Sequence, residues 1–409
     1  MKIKVLFLAV LSLTVLSCDK DTYTQEVTIA VPITKSISQL RAGVSVEPVT
    51  QISESGKLYA YQNYILINDI NKGIHVIDNT FPTQPRKIAF INLPGNIDMA
   101  IKNDVLYADS WLDLYAFDFS DPLNITLINR IEQVLPRRDI DFPWELASEV
   151  DYSAFNRDLE IIVDWEFRTE IREFDAQNEG DIFLSNDAAV SDATGTGGSL
   201  ARFNIVGDFL YVVQQQELIT FNISSLEDPV AVGDTFVGWN IETIFSDGEY
   251  LYIGSVDGMY IYNLDNPSAP GFLSNIQHIL GCDPVVVQGD YAYVTIRGGN
   301  ICGQGLSQLD VINIADKSNP YIVTSLPMIE PYGLGIKDNR LYVSDGPNGL
   351  VVYDINKPEA ISEHITYANI DILDVIPQED FMTMVGNNIM YNYEYTDEGI
   401  GLIASFSLN

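Results

Sequence analysis

The feature that most constrains this chain is a hairpin that keeps returning along it. Its clearest copy runs Leu341-Tyr-Val-Ser-Asp345, Gly346-Pro-Asn-Gly349, Leu350-Val-Val-Tyr-Asp354 and Ile355-Asn-Lys-Pro358. Two runs of β-branched and aromatic residues joined by a Gly/Pro/Asn turn read as two antiparallel strands. The second strand recurs as Gly73–Asp78, Asp113–Asp118, Glu217–Asn222, Gly258–Asn263, Gln308–Asn313 and, in degenerate form, Ile400–Phe406. The spacing is about forty residues, stretched by insertions. Such a period, with several short strands per repeat, predicts an all-β fold, a β-propeller of four-stranded antiparallel blades. Seven copies predict seven blades, with six or eight as the alternatives; a β-sandwich would keep no such period.

The first residues read as a lipoprotein signal peptide covering 1–17. Lys2 and Lys4 precede the apolar run Val5 to Val15, and Leu16-Ser17-Cys18 follows as a lipobox whose Cys18 would be lipidated. The run is shorter than the about twenty apolar residues of a membrane span. The expected location is therefore the cell envelope, as an outer-membrane or cell-surface lipoprotein that meets the membrane only through its N-terminal lipid anchor.

Residues 18–26 are polar and read as a flexible tether, and 27–409 as one propeller domain with an insertion at 132–198. Inside the insertion, Leu159–Val163 and Thr169–Phe174 predict a hairpin, the remains of an eighth blade being the alternative. The chain ends soon after Phe406, where the last blade should still need its fourth strand. Either Val27–Ile33 or Val44–Ile52 is thus expected to close the ring by adding an N-terminal strand.

Proline turns follow most of the repeated strands: Phe81-Pro-Thr-Gln-Pro85, Asp121-Pro122, Asp228-Pro229, Asn266-Pro-Ser-Ala-Pro270, Asn319-Pro320 and Lys357-Pro358. On these motifs the chain from about residue 55 to 409 resembles the LVIVD-repeat family of bacterial β-propellers. The resemblance implies a fold. It implies no activity, because the repeats are structural and the family offers no catalytic residues to carry over.

If strands A to D run outward from the axis, the D-to-A and B-to-C connections leave a blade at one end and the other turns at the opposite end. The long connections all fall in the first set: Glu132 to Gly198, Arg297 to Ser307 and Gly386 to Gly399. Function lives in loops set on a rigid scaffold, so this end is the expected working face. Trp111, Trp144 and Trp239 fall there, with Tyr332, Tyr391 and Tyr393, as candidate contacts for a sugar ring or a protein hot spot. Packing of the insertion onto the propeller is the competing role, and Trp165 beside Ile161-Ile-Val163 reads as core. Arg137 and Arg138 would clamp a carboxylate or anchor a salt-bridged loop. Cys282 and Cys302 form an even pair in an exported chain and predict a disulfide that pins the loop between them.

Charge narrows the partners. With 22 Lys and Arg against 57 Asp and Glu, the formal net charge is −35, which argues against nucleic acid and against anionic lipid. A glycan or a protein partner fits better. Asp98, Glu242, Asp283, Asp371 and Asp374 lie near the starts of A strands and would converge on the channel mouth. No cofactor is expected; hard oxygen ligands there would suit Ca²⁺ if any metal were bound, and no His lies at ligand spacing.

His75, His278 and His364 are the only histidines, and no nucleophile elbow, zinc-protease motif, P-loop or dinucleotide fingerprint is present. Two readings follow. One is a non-catalytic scaffold that binds a glycan or protein partner through the working face. The other is a carbohydrate- or lactone-active enzyme that uses the channel-mouth carboxylates.

Overall fold

The computed structural model describes residues 22–175, 199–277, 284–298 and 306–409. Among them, seven sheets each contain four strands in sequence order. The first consists of Ser55–Tyr61, Tyr64–Asp69, Gly73–Asp78 and Arg86–Asn92, and the second of Met99–Lys102, Val105–Ser110, Asp113–Asp118 and Thr126–Ile131. The remaining A strands are Phe203–Val206, Ile241–Ser246, Val285–Gln288, Leu334–Lys337 and Asp374–Pro377. Each A strand contacts the next around the circle, and the seventh contacts the first. The sheets are therefore the blades of a propeller.

The repeated Asp or Asn that marked the motif has a local task. The side-chain oxygens of Asp78, Asp118, Asn222, Asn313 and Asp354 each accept the backbone N–H two residues on, at 2.9 to 3.1 Å. These Asx turns start the C-to-D connection. In every blade the C-to-D ladder then slips register by a bulge, which adds the twist a blade needs. B and C strands are buried on both faces because blade packs on blade. That is why Tyr64–Asp69 and Gly73–Asp78 read as nearly continuous apolar runs.

Four expectations need correction. First, the last blade needs no borrowed strand. Ile389–Thr396 is its C strand and Gly399–Ser407 its D strand, so Ile400–Phe406 belongs to the D strand and not to the repeated C strand. The alternation Met390-Tyr-Asn-Tyr-Glu-Tyr395 is a strand, and Gly386 to Gly399 is not a long loop.

Second, the seventh blade meets the first along a seam of backbone and side-chain contacts and not through an added strand. Ile52 N–H donates to the Leu408 carbonyl at 3.0 Å, Ser55 Oγ to the Gly386 carbonyl at 2.9 Å, and Asn392 Nδ2 to Asn79 Oδ1 at 2.8 Å. Ile52, Leu58, Ile67, Ile376, Val385, Met390 and Leu408 form one apolar cluster across that seam. The short strand Ser45–Glu47 instead adds a fifth strand to the outside of the first blade.

Third, the segment read as a tether is strand from Thr22. Thr22–Ser36 pairs antiparallel with Glu160–Asp175 along its length and, over Ile29 and Ala30, in parallel with Glu149–Val150. Fourth, Glu160–Asp175 is one long strand where a hairpin was expected. The insertion and the N-terminal arm together build an eighth, three-stranded sheet that is not a blade.

Candidate functional site

The D-to-A and B-to-C connections bond to one another at a single rim. Asn71 N–H reaches the Asn96 carbonyl, Leu135 N–H the Leu112 carbonyl, Ile241 N–H the Gln215 carbonyl and Tyr332 N–H the Ser344 carbonyl. A carboxylate closing several B strands holds the preceding D-to-A loop by its amides. Asp69 accepts from Ser53 and Glu54, Asp109 from Ile97 and Asp98, and Asp345 from Ile329 and Glu330, at 2.8 to 3.1 Å. The acid that ends the quoted strand Leu341–Asp345 is thus a loop anchor.

Over the first three blades the rim is covered. Trp111 is only 4 % exposed and packs with Leu40 of the short helix Ile37–Ala42 and Ile161 of the insertion. The Arg138 guanidinium lies 4.7 Å from the centre of its ring and donates to Asn71 Oδ1 and the Gly95 carbonyl. Arg137 is forked onto Asp139 at 2.6 Å and bonds the Glu160 carbonyl. Arg41 forks onto Asp113 at 2.7 and 2.8 Å and reaches Glu132. Trp165 is buried with its indole N–H on the Ile140 carbonyl. These contacts clamp the added sheet to the propeller and leave Trp111 no free ring face.

The axis is filled where the insertion returns. Lys57 Nζ of the first blade donates to the Leu200 carbonyl at 2.9 Å, and Ile244 N–H of the fourth to the Ala201 carbonyl at 2.6 Å. Leu334 N–H of the sixth reaches Ser199 Oγ at 2.8 Å. Asp98 accepts from Met99, Arg202 and Phe203 N–H at 2.6 to 2.9 Å. Asp374 accepts from Val375 N–H, and its Oδ2 finds no partner among the described residues.

Lys57, Asp98 and Asp374 are all buried. Burial lowers the Lys57 ammonium and raises the Asp98 carboxyl, and it pushes Asp374 up to about 8. Asp98 and Asp374 therefore lie within a plugged channel and not at its mouth. Lys57 escaped the sequence reading, although a single Lys in Ser55-Gly-Lys-Leu-Tyr-Ala-Tyr61 interrupts an otherwise apolar strand.

Among the described residues, no added chain covers the rim over the sixth and seventh blades. A cleft of about 390 Å³ is lined by Glu330, Tyr332, Pro347, Asn369, Asp371 and Asn387, among others. The Arg297 guanidinium stacks 4.3 Å from the Tyr332 ring centre, and Tyr332 Oη donates to Glu330 Oε1 at 2.7 Å. Thr295 Oγ1 bonds the Tyr332 carbonyl at 2.8 Å. Asn387 Nδ2 donates to Asp371 at 3.2 Å. The site is a held aromatic with two carboxylates and two amides.

Of the other candidates, Trp239 is 63 % exposed beside Phe236, and Trp144 is 54 % exposed against Phe142. Tyr391 and Tyr393 sit on the C strand of the seventh blade, in one apolar cluster with Tyr342 and Leu350 of the sixth and with Ile370 and Ile372 of the D-to-A loop between the two blades. Glu242 stands on the inner strand of the fourth blade. Cys18, Cys282, Cys302, His278 and Asp283 lie outside the described residues, so the disulfide and the lipidation site have no structural account here. Buried His75 stacks on Phe90 within the first blade. Among the described residues no group of three His, Cys, Asp or Glu side chains is placed to hold a metal.

Residues 282–326 and 333–369 match the LVIVD repeat. The chain is a propeller that carries LVIVD repeats in these two segments. The matched segments include the fifth and sixth blades and Arg297, whereas Glu330 and Tyr332 stand in the connection between the two segments. No curated protein sequence matches the chain.

Solved structures resemble the fold at low identity. The periplasmic gluconolactonase of Pseudomonas aeruginosa is 10% identical with a TM-score of 0.55, covering 89% of this chain and 96% of that one. A protein from Lactobacillus plantarum is 11% identical at 0.55, over 86% and 94%. A functionally unknown protein from Desulfotomaculum acetoxidans is 10% identical at 0.53, over 84% and 96%. At such identity the likeness speaks for the propeller and for nothing finer.

Proposed function

We propose that this LVIVD-repeat propeller is a non-catalytic cell-envelope lipoprotein whose open rim binds a glycan. The observation that carries the reading is the cleft beside Tyr332, where an aromatic face fixed by Arg297 stands with Glu330, Asp371 and Asn387 around it. An apolar ring face with convergent acceptors and donors suits a hydroxyl-rich ring. The reading calls for no cofactor.

Two further features bear on it. The exposed pair Phe236 and Trp239 on the same rim favours a protein partner as the second reading, since such pairs make hot spots. The enzymatic alternative loses its channel acids, because Asp98 is spent on backbone amides and Asp374 is sealed from solvent. Export and lipidation rest on the pattern Leu16-Ser17-Cys18 behind a charged and then apolar leader. Mass spectrometry of the mature N-terminus would find a lipidated Cys18, and an unmodified Met1 would end that part of the proposal.

The main test is a glycan array followed by titration of the captured sugar. Tyr332→Ala is expected to weaken binding at least about tenfold, an effect of the size a buried aromatic contact supplies, and Trp144→Ala to leave it unchanged. Binding that ignores Tyr332 and Asp371 would place the site elsewhere.

A further inference from the structure

The sheet added by the insertion ends in a long unpaired edge. In the order Glu149–Val150, Thr22–Ser36, Glu160–Asp175, the last strand has a partner on one side only among the described residues. Its first turn of chain is covered on the far side: Ile140 N–H donates to the Ile162 carbonyl, and Ile162 N–H to Asp139 Oδ1. From Glu166 onward that protection stops. Proteins blunt such edges with charge, twist or cover, because an open ladder recruits another strand.

The charges here are not merely repulsive. The exposed stretch reads Glu166-Phe-Arg-Thr-Glu-Ile-Arg172. Laid antiparallel to itself with Thr169 opposite Thr169, it sets Arg168 against Glu170, Phe167 against Ile171 and Glu166 against Arg172, each pair occurring twice. Every charge meets its opposite, and both exposed apolar residues, Phe167 at 40 % and Ile171 at 72 %, meet each other on one face. Cross-strand pairs of these kinds stabilise a ladder, and like charges placed opposite oppose it.

We propose that the chain forms a two-fold symmetric dimer by antiparallel pairing of this edge, with the axis at Thr169. The pattern is that of an isologous interface, in which one patch is complementary to itself. Within one chain Arg168 already bonds Asp151 and Glu170, and Arg172 bonds Glu149 and Glu170. Glu170 lies on the edge strand itself, whereas Asp151 and Glu149 stand across Thr22–Ser36 from it; pairing would draw the guanidinium groups from those two toward Glu170 and Glu166 of the partner subunit. Joining two added sheets gives a continuous six-stranded sheet that leaves the cleft over the sixth and seventh blades free. The inference does not depend on what that cleft binds.

Sedimentation velocity of the full chain, in detergent micelles and over about 1 to 100 µM, suits an interface this small. A monomer–dimer equilibrium is expected. Arg168→Glu sets two pairs of carboxylates face to face and should weaken the dimer about tenfold or more. The double change Arg168→Glu with Glu170→Arg keeps the self-complementary pattern and should restore it. Thr169→Cys should cross-link the dimer on mild oxidation above the wild-type baseline, whereas Phe167→Cys, whose own copy lies four positions off, should not.

A chain monomeric throughout that range overturns the proposal. So does a dimer indifferent to Arg168→Glu, because it would be held by another surface. A single swap that the double change fails to rescue overturns the register.

Discussion

The covered and open halves of the rim are built on the same loops and do different work. Over the first three blades, Trp111, Arg41, Arg137 and Arg138 are spent on clamping the N-terminal arm and the insertion to the propeller. Over the sixth and seventh, Tyr332 and Asp371 are held by neighbours yet keep a surface toward the cleft. An aromatic in a connecting loop therefore says little until its cover is known. Where extra chain lands, the aromatic becomes core; Tyr332, on which no added chain lands among the described residues, keeps a surface toward the cleft.

The largest expected effects test the covered half and the axis that joins the two. Trp111→Ala should cost about 3–5 kcal/mol, the usual loss for a buried Trp, measured by urea unfolding, and should leave affinity at the cleft unchanged in the folded fraction. A loss below about 1 kcal/mol would mean that the arm does not depend on this ring. Lys57→Met should cost a similar amount, about 3–5 kcal/mol, because it strips the donor from Leu200 and leaves the buried acids without their cation.

A smaller effect follows from the axial carboxyl. Asp374 is pushed up to about 8 by burial, whereas an unfolded Asp titrates near 3.9. Between those values the folded state holds the extra proton, so this group makes stability fall as pH rises from about 4 to about 8. Lys57, lowered by burial, acts oppositely at higher pH: the unfolded chain binds the extra proton there, and stability recovers as pH rises. Asp374→Asn should remove the decline, on the order of 1–3 kcal/mol. Urea midpoints from pH 5 to pH 8 that fall equally in both proteins would acquit Asp374.

The smallest effects belong to the open half. Asp345→Ala frees the Ile329 and Glu330 amides and should cost about 1–3 kcal/mol while loosening the loop that positions Tyr332. Tyr332→Ala should change stability by less than about 1 kcal/mol and act on ligand binding instead. If its thermal shift matched that of Trp111→Ala, the two halves would be alike and the distinction drawn here would fail.

Much of the fold was legible. The recurring strands Gly73–Asp78, Asp113–Asp118, Glu217–Asn222, Gly258–Asn263 and Gln308–Asn313 follow from alternation and turn chemistry, which are local, and each is a C strand. The Asp or Asn at the end of each C strand was visible as a pattern, and its Asx turn explains it. The seventh blade misled because its C strand, Ile389–Thr396, has Tyr and Asn where its sisters have Val and Ile. Of the residues lining the cleft, Tyr332 is a sequence candidate for a contact and Asp371 for a channel-mouth acid, whereas Glu330 and Asn387 carry no signal beyond being polar and near a turn.

The sequence by itself determined the blade, because period, strand alternation and turn residues act over a few positions and need no distant partner. Only the tertiary structure decided which loops stay open. That depends on where Thr22–Ser36 and Glu160–Asp175, more than a hundred residues apart, meet and settle. The apolar area they cover is set by packing geometry, which no local pattern along the chain encodes.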